Sequence, residues 1–143
     1  MTPRARARRP STVDSVPTFA EDYLDVDHWP HGWHFEGRAR LSGERLLDIF
    51  KAFLFHLLDQ SLARSTLRLH RDHLYELGAT IGDRLKRNPQ LQRRKMASTL
   101  LAFLDEDGGP IIYPPTSSPQ QRSFDMTCRK LRQYLLDLKP SSG

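Results

Sequence analysis

The sequence contains a single cysteine, Cys128, among its 143 residues. One cysteine cannot form an intramolecular disulfide, which excludes the disulfide-stabilised secreted domains and fits a protein of the reducing cytoplasm. No apolar run approaches the roughly 20 residues that a membrane-spanning helix needs. The arginine-rich residues 1–10 are not followed by an apolar segment, as they would be in a secretory signal. We therefore expect a cytoplasmic protein with no membrane anchor.

The sequence also lacks the motifs from which a catalytic activity would be predicted. It has no glycine-rich phosphate-binding loop and no Gly-x-Ser-x-Gly element. Cys128 falls on the apolar stripe of a predicted helix, where a small buried side chain is the simplest interpretation. His70 lies close to the apolar side of its helix and His73 nearer the polar flank, and their spacing is unremarkable for a catalytic or metal-binding pair. We predict a protein that is not an enzyme and holds no cofactor.

A histidine recurs at every third position in the pattern His28-x-x-His31-x-x-His34, with a carboxylate on each side. Imidazole and carboxylate groups bind zinc, but a closed site needs four converging ligands. A spacing of three brings ligands together only on a helix, and the proline and glycine within this series argue against one. We therefore predict a surface loop with no metal, in which the tryptophans pack and the histidines face water.

The charge of the chain, +5 overall with an isoelectric point near 9.7, is unevenly distributed. Residues 11–36 contain six acidic residues and no Lys or Arg, whereas residues 37–104 contain thirteen basic and six acidic residues. The basic charge therefore belongs to the folded part of the chain as well as to its start. Such a distribution suits a polyanionic partner.

Composition divides the chain into four parts. Residues 1–17, rich in proline and arginine, are predicted to be a disordered basic arm. Residues 18–41 are predicted to be an irregular aromatic segment packed on a helical bundle. Residues 42–139 are predicted to be the helical domain, and residues 140–143 a frayed tail.

Apolar residues at spacings of three and four predict two long helices on either side of residues 60–64. The first begins near Ser42 or Gly43 and ends near Asp59. The second runs from about Thr66 to Lys86, with Ser65 as its N-cap. Gly78 and Gly82 stand four residues apart on one face of this helix, which indicates either a second helix backbone crossing closely there or a break in the helix. The predicted core comprises Leu54, Leu57, Leu74, Ile81 and Leu131.

Two further helices complete an all-α bundle. Asn88 and Pro89 are predicted to cap and open a third helix, which the acidic run at 105–107 and the following glycines end. A capping box with proline, beginning at Ser118, predicts a fourth helix to about Leu138. No strand is needed to explain the chain.

Basic residues follow the polar side of the second and fourth helices, in the rows Arg64, Arg68, Arg71 and Arg129, Lys130, Arg132. Guanidinium groups match phosphate oxygens, and a row over two or three turns can follow a DNA backbone. A solvated polar face is the competing interpretation, since acidic residues interrupt both rows.

The series Leu-x-x-Ser-Thr-Leu-x-x-His-x-x-x-Leu after the helix ending FLFHLL resembles the SAM-like core-binding domain of tyrosine recombinases and phage integrases. The fourth-helix sequence RKLRQYLL is similar to the last helix of those domains. The resemblance implies a four-helix SAM-like bundle that lays helices across double-stranded DNA. It also implies the DNA-contacting residues Arg64, Ser65, Arg68, Arg71, Arg129, Lys130 and Arg132.

The family's catalytic half requires an arginine pair, a His-x-x-Arg element and a nucleophilic tyrosine, and no histidine here is followed by arginine three positions later. We therefore expect a non-catalytic DNA-binding module that serves a mobile element or site-specific recombination, with a recombinase as a possible protein partner. The alternative is a protein-interaction or homo-oligomeric helical module that does not bind nucleic acid.

Overall fold

The computed structural model of the protein describes residues 19–35, 37–111 and 117–138. Within these ranges the chain is all-α and contains no strand, as predicted. The basic arm predicted at 1–17 and the tail predicted at 140–143 lie outside the described residues. Among the described helices, none combines the length and apolar character that a membrane-spanning segment requires.

The described residues form six α-helices: α1 (Phe19–Tyr23), α2 (Trp29–Gly32), α3 (Arg40–Leu58), α4 (Arg64–Arg87), α5 (Met96–Phe103) and α6 (Ser118–Leu138). The long helices α3, α4 and α6 and the short helix α5 form the body of the fold, and the two short N-terminal helices pack on it. Helix α3 packs against α4 and α5, α6 packs against α4 and α5, and α1 and α2 lie on α4 and α3 respectively. Single 3-10 turns span Gly37–Ala39 and Pro89–Arg93.

The core is built from the apolar stripes of these helices, and the five core residues predicted from helical spacing are all buried. Each of them is at most 1% exposed, because each lies at the centre of its stripe and faces another helix. They are Leu54, Leu57, Leu74, Ile81 and Leu131.

The predicted start of α4 was wrong by two residues. The helix begins at Arg64, and its N-cap position is occupied by Ala63, whose side chain cannot accept a hydrogen bond. Ala63 has an extended backbone, and its carbonyl accepts the N–H of Leu67 at 3.0 Å. Ser65 therefore lies in the first turn of the helix, exposed, and caps nothing at the predicted position.

The predicted third helix is divided in two. Residues Pro89–Arg93 form a 3-10 turn, and Lys95 is extended before α5 begins at Met96. Asn88 stands at the predicted N-cap position and is followed by Pro89, but its side chain makes no capping hydrogen bond, and the element that it opens is the 3-10 turn. The connection from α4 to α5 is therefore a 3-10 turn followed by an extended residue and not one continuous helix.

Helix α6 opens with the predicted type of capping box, one residue earlier than predicted. The backbone N–H of Ser117 donates to Oε1 of Gln120 at 3.0 Å, and the N–H of Gln120 donates to Oγ of Ser117 at 3.3 Å. Serine and glutamine each occur twice in succession here, so two capping frames overlap. The helix uses the first frame, which leaves Pro119 in the first turn, where a missing N–H costs nothing.

The segment before α3 is more regular than predicted. Pro30 and Gly32 do not prevent a helical turn, since Pro30 stands in its first positions and Gly32 at its end. The turn closes as a Schellman motif, in which His34 donates to the carbonyl of His31 at 3.0 Å and Phe35 to that of Pro30 at 3.1 Å. His34 takes the left-handed conformation, with φ 61°, that glycine usually occupies there.

An aromatic ring packs against each of the two glycines of α4. The indole of Trp33 lies against Gly78 so closely that a Cβ atom on this glycine would overlap Cζ2 of the ring. A Cβ atom at Gly82 would lie 3.2 Å from the ring of Phe35. Helix α4 continues unbroken past both positions, and among the described residues the atoms nearest to the two glycines belong to Trp33 and Phe35, not to a crossing helix, so both predicted explanations of the glycines were wrong.

Hydrogen bonds fix the orientation of the buried indole. Nε1 of Trp33 donates to the backbone carbonyl of Tyr75 at 3.0 Å, and Nζ of Lys86 donates to the carbonyl of Trp33 at 3.3 Å. The Trp33 ring meets Trp29, Phe35, Phe50 and Tyr75 with centroid separations of 5.7 to 6.1 Å. Such tilted and edge-on contacts each add about 0.5–1.5 kcal/mol beyond area burial. The segment 29–35 is therefore part of the core, as its aromatic content predicts.

The close contact between Trp33 and Gly78 predicts how a side chain at position 78 changes the stability. Alanine favours a helix by about 1 kcal/mol over glycine, but a Cβ atom that would overlap a rigid buried ring incurs the upper end of the overpacking cost, about 3 kcal/mol. We expect Gly78→Ala to lower the Tm by at least about 3 °C, measured by thermal denaturation followed by circular dichroism.

Gly82→Ala is the matched control, since it gains the same helix propensity and requires its neighbours to move only by tenths of an ångström. Its Tm should stay within about 3 °C of the wild type. A Gly78→Ala protein as stable as the wild type, or more so, would show that Trp33 is not seated on this helix.

Candidate nucleic-acid interface

The start of α4 brings two of the predicted DNA-contacting arginines together on one aromatic ring. The guanidinium carbons of Arg64 and Arg68 each lie 5.3 Å from the ring centroid of Phe19, the first residue of α1. Both arginines are exposed. Phe19 is itself held by stacking on Tyr23 at 5.4 Å, and Tyr23 is fully buried. The ring that the two arginines share is thus anchored in the core.

Arg71, the third member of the row, is partly committed to the fold. It is half-buried, forms an ion pair with Asp72 at 3.3 Å and reaches the carbonyl of Asp22 in α1 at 3.5 Å. Burial raises the pKa of the adjacent Tyr23 above its usual range, and the charge of Arg71 opposes that rise. Arg71 therefore ties α1 to α4 and presents less of its charge to solvent than Arg64 and Arg68 do.

Beyond Arg71, the side of α4 that carries the arginine row packs against the N-terminal segment, residues 19–35. Tyr75 lies one turn beyond Arg71, and its ring contacts Trp29 at 5.5 Å. Gly78 and Gly82 follow on the same side of the helix, under Trp33 and Phe35. Sequence spacing placed the row correctly on one side of α4 and did not predict that residues 19–35 cover most of that side.

The three predicted residues of α6 differ in their contacts and exposure. Arg129 donates to the carbonyl of Asp107, in the loop after α5, at 2.9 Å. Lys130 lies on the other flank, where its charge reaches His70 of α4. Arg132 is half-buried, and Ser65 on α4 is exposed. The structure thus joins Arg64 and Arg68 in one cluster and does not bring all seven predicted residues onto one surface.

A basic segment that the sequence analysis did not assign lies at the opposite end of α4. Six basic residues and no acidic residue occur between positions 84 and 95. All six are exposed in the structure. A run of like charge marks this segment in the sequence, but it spans the connection between two helices and so does not follow the polar side of any one helix. The six are Arg84, Lys86, Arg87, Arg93, Arg94 and Lys95.

A buried polar network joins α4 to α6. The hydroxyl of Thr127 lies 2.6 Å from Nδ1 of His70 and 2.7 Å from Nδ1 of His73. A hydroxyl has one proton, so it donates to one imidazole and accepts the N–H of the other. His70 and Thr127 are 2% and 1% exposed, and substrate cannot reach a hydroxyl so placed. We interpret the network as a structural link between the two helices.

Burial governs the protonation of this network. Desolvation, with smaller contributions from the charges of Lys130 and His73, lowers the pKa of His70 from 6.5 to about 4. Desolvation also lowers the pKa of His73, and the nearby Asp72 carboxylate opposes that change. Nε2 of His70 is buried and has no hydrogen-bond partner among the described residues. Both imidazoles are therefore neutral at physiological pH. Desolvation likewise raises the pKa of the Cys128 thiol above its usual range, so this buried cysteine is not a reactive nucleophile.

In the described part of the chain, no group of three His, Cys, Asp or Glu side chains is placed to hold a metal ion. His28, His31 and His34 are all exposed. Comparison of the chain with protein-family models, with curated proteins and with solved structures finds no match. The resemblance to recombinase core-binding domains therefore stays a prediction.

The buried histidine predicts a pH dependence of stability. The unfolded chain takes up a proton on His70 near pH 6.5, whereas the folded protein takes it up only near pH 4. The stabilisation is complete above pH 6.5 and is lost as the pH falls towards 4, by roughly 3 kcal/mol. We expect the urea midpoint of the wild type to fall through this window, and the fall to be smaller in His70→Leu.

Carboxylates titrate in both the wild type and His70→Leu, so the difference in pH dependence between these two proteins reports on His70. His31→Gln, at an exposed position, is the control and should keep the wild-type pH dependence. An equally steep fall in the wild type and His70→Leu would exclude a buried neutral His70.

Proposed function

We propose that this protein is a non-catalytic module that binds double-stranded DNA through its phosphate backbone. The observation that carries the proposal is the pair of exposed guanidinium groups, Arg64 and Arg68, held over the ring of Phe19. The proposal includes a SAM-like arrangement of α3 to α6 and a role in site-specific recombination or a mobile element, with a recombinase as partner. The order of four helices after residue 39 supports that arrangement.

A cation–π contact with an aromatic ring suits an arginine for phosphate recognition. The contact uses none of the N–H groups as hydrogen-bond donors, so they stay available for two hydrogen bonds to one phosphate. A side chain already held by such a contact also loses less conformational entropy when it binds. Two such groups one turn apart on α4 can contact neighbouring phosphates of one strand.

The alternative, a protein-interaction or homo-oligomeric module, stays a prediction as well. Large apolar residues that are more than 40% exposed occur on α3, α4, α6 and the segment after α5, namely Leu41, Phe55, Leu69, Ile111, Met126 and Leu138. Single exposed apolar residues are common on monomeric proteins, and they mark an interface only when they form one continuous patch. The paired arginines favour the nucleic-acid proposal.

The experiment measures binding to a short duplex by fluorescence anisotropy at several salt concentrations. Binding driven by counterion release weakens with salt, with a log–log slope of about −0.9 per neutralised phosphate. The double variant Arg64→Ala/Arg68→Ala should bind more weakly, and its slope should flatten by about one unit for each arginine that touches a phosphate. Phe19→Leu should weaken binding and leave the slope nearly unchanged, because the charges remain and only their positioning is lost.

Arg40→Ala is the control, since this arginine is exposed on α3 and pairs with Glu44 at 3.5 Å. It should bind as the wild type does. Deletion of residues 1–10 measures the contribution of the basic N-terminal arm separately. If the double variant binds duplex DNA as tightly as the wild type at every salt concentration, the proposed surface is wrong and the interaction module becomes the better hypothesis.

A further inference from the structure

A pocket of about 500 Å³ lies where the last turn of α4, the 3-10 turn after it and helix α5 meet. We call it the junction pocket. Arg84, Arg87 and Arg94 line it from three positions along the chain, and Thr99 and Phe103 of α5 form part of its wall. Its volume falls within the range of small-molecule sites, roughly 300–1,000 Å³.

The lining of the junction pocket is strongly cationic. Three arginines and no acidic residue line it in the described structure. The guanidinium carbon of Arg84 lies 5.7 Å from the ring centroid of Phe103, a cation–π contact like those at Phe19. Arg87 pairs with Asp83 at 3.3 Å, but both side chains are more than half exposed, and such a surface pair contributes little. An anionic group can therefore replace Asp83 as the partner of Arg87 at small cost.

The helix dipoles favour only some of the basic residues at this junction. Arg84 and Arg87 lie in the last turn of α4, where the partial negative charge of the helix end favours cations. Arg94 and Lys95 directly precede the first turn of α5, where the positive end of the dipole disfavours them, and Lys95 provides no side-chain cap. A bound anion would offset this unfavourable placement.

We propose that the junction pocket binds a phosphate group, with Arg84, Arg87 and Arg94 as its donors. Several arginines lining one pocket suit phosphate, because each guanidinium group can present two parallel N–H groups to two oxygens. The phosphate belongs either to a free phosphorylated compound or to a nucleic-acid backbone, and the chemistry of recognition is the same for both.

This site is separate from the arginine pair on Phe19. Arg64 and Arg84 stand 20 residues apart on one helix, which corresponds to about 30 Å along its axis and to roughly opposite sides of it. The proposal for the junction pocket therefore does not depend on the proposed function. It extends that function if one duplex reaches both sites.

The test uses the full chain and pyrophosphate as the probe, measured by isothermal calorimetry and by NMR chemical shifts. We expect saturable binding with one site per chain and shifts at Thr99 and Phe103. In Arg84→Gln/Arg94→Gln the affinity should fall by at least about tenfold, since two charge-assisted donors are lost. Arg40→Gln/Arg122→Gln removes the same charge at exposed positions on α3 and α6 and should bind as the wild type does.

Duplex DNA distinguishes the two sources of the phosphate. If pyrophosphate competes with the duplex and Arg84→Gln/Arg94→Gln weakens both, the group is a backbone phosphate. If this variant loses pyrophosphate and binds the duplex unchanged, the ligand is a free phosphorylated compound. Equal, non-saturating pyrophosphate binding by the wild type and both variants would overturn the proposal, whatever the result for Arg64 and Arg68.

Discussion

The contact between the indole of Trp33 and the bare backbone at Gly78 is the interaction on which the rest of this structure depends. Glycine inside a helix costs about 1 kcal/mol relative to alanine. Burial of a tryptophan side chain stabilises the folded protein by roughly 4 to 6 kcal/mol as an upper bound. This exceeds the cost of the glycine, so the docked position of Trp33 is favoured. Because Trp33 also donates to the Tyr75 carbonyl, the position of the segment is fixed along α4 as well as towards it.

Docking of residues 19–35 determines which charges of α4 reach solvent. The segment covers the helix beyond Arg71, and its first residue, Phe19, supports Arg64 and Arg68 from below. The same segment is acidic, so it reduces the positive potential along this side of the helix while it positions two of its arginines. At the opposite end of α4, Arg84 and Arg87 line the junction pocket together with Arg94. One helix thus presents two cationic sites that differ in how they are built.

Much of this fold could be predicted from the sequence, because helical spacing reports directly which side chains face a core. Leu74 and Ile81 are examples. The glycines of α4 signalled a close approach, but glycine spacing cannot distinguish a helix backbone from an aromatic ring. Helix ends were less predictable, since Ala63 starts α4 without a capping side chain and two serine–glutamine frames overlap at α6. Residues 19–35 cover the arginine-bearing side of α4 through contacts between residues 40 or more positions apart, and no local sequence pattern predicts such contacts.

Urea unfolding followed on one sample by tryptophan fluorescence and by far-ultraviolet circular dichroism tests most directly whether the N-terminal segment is part of the core. Both tryptophans, Trp29 and Trp33, lie in that segment and are buried, whereas the helical signal comes mainly from α3, α4 and α6. If the segment and the bundle form one cooperative unit, the two signals change in a single coincident transition. A fluorescence transition at lower urea than the loss of helix would show that the segment leaves α4 on its own, and would contradict this account.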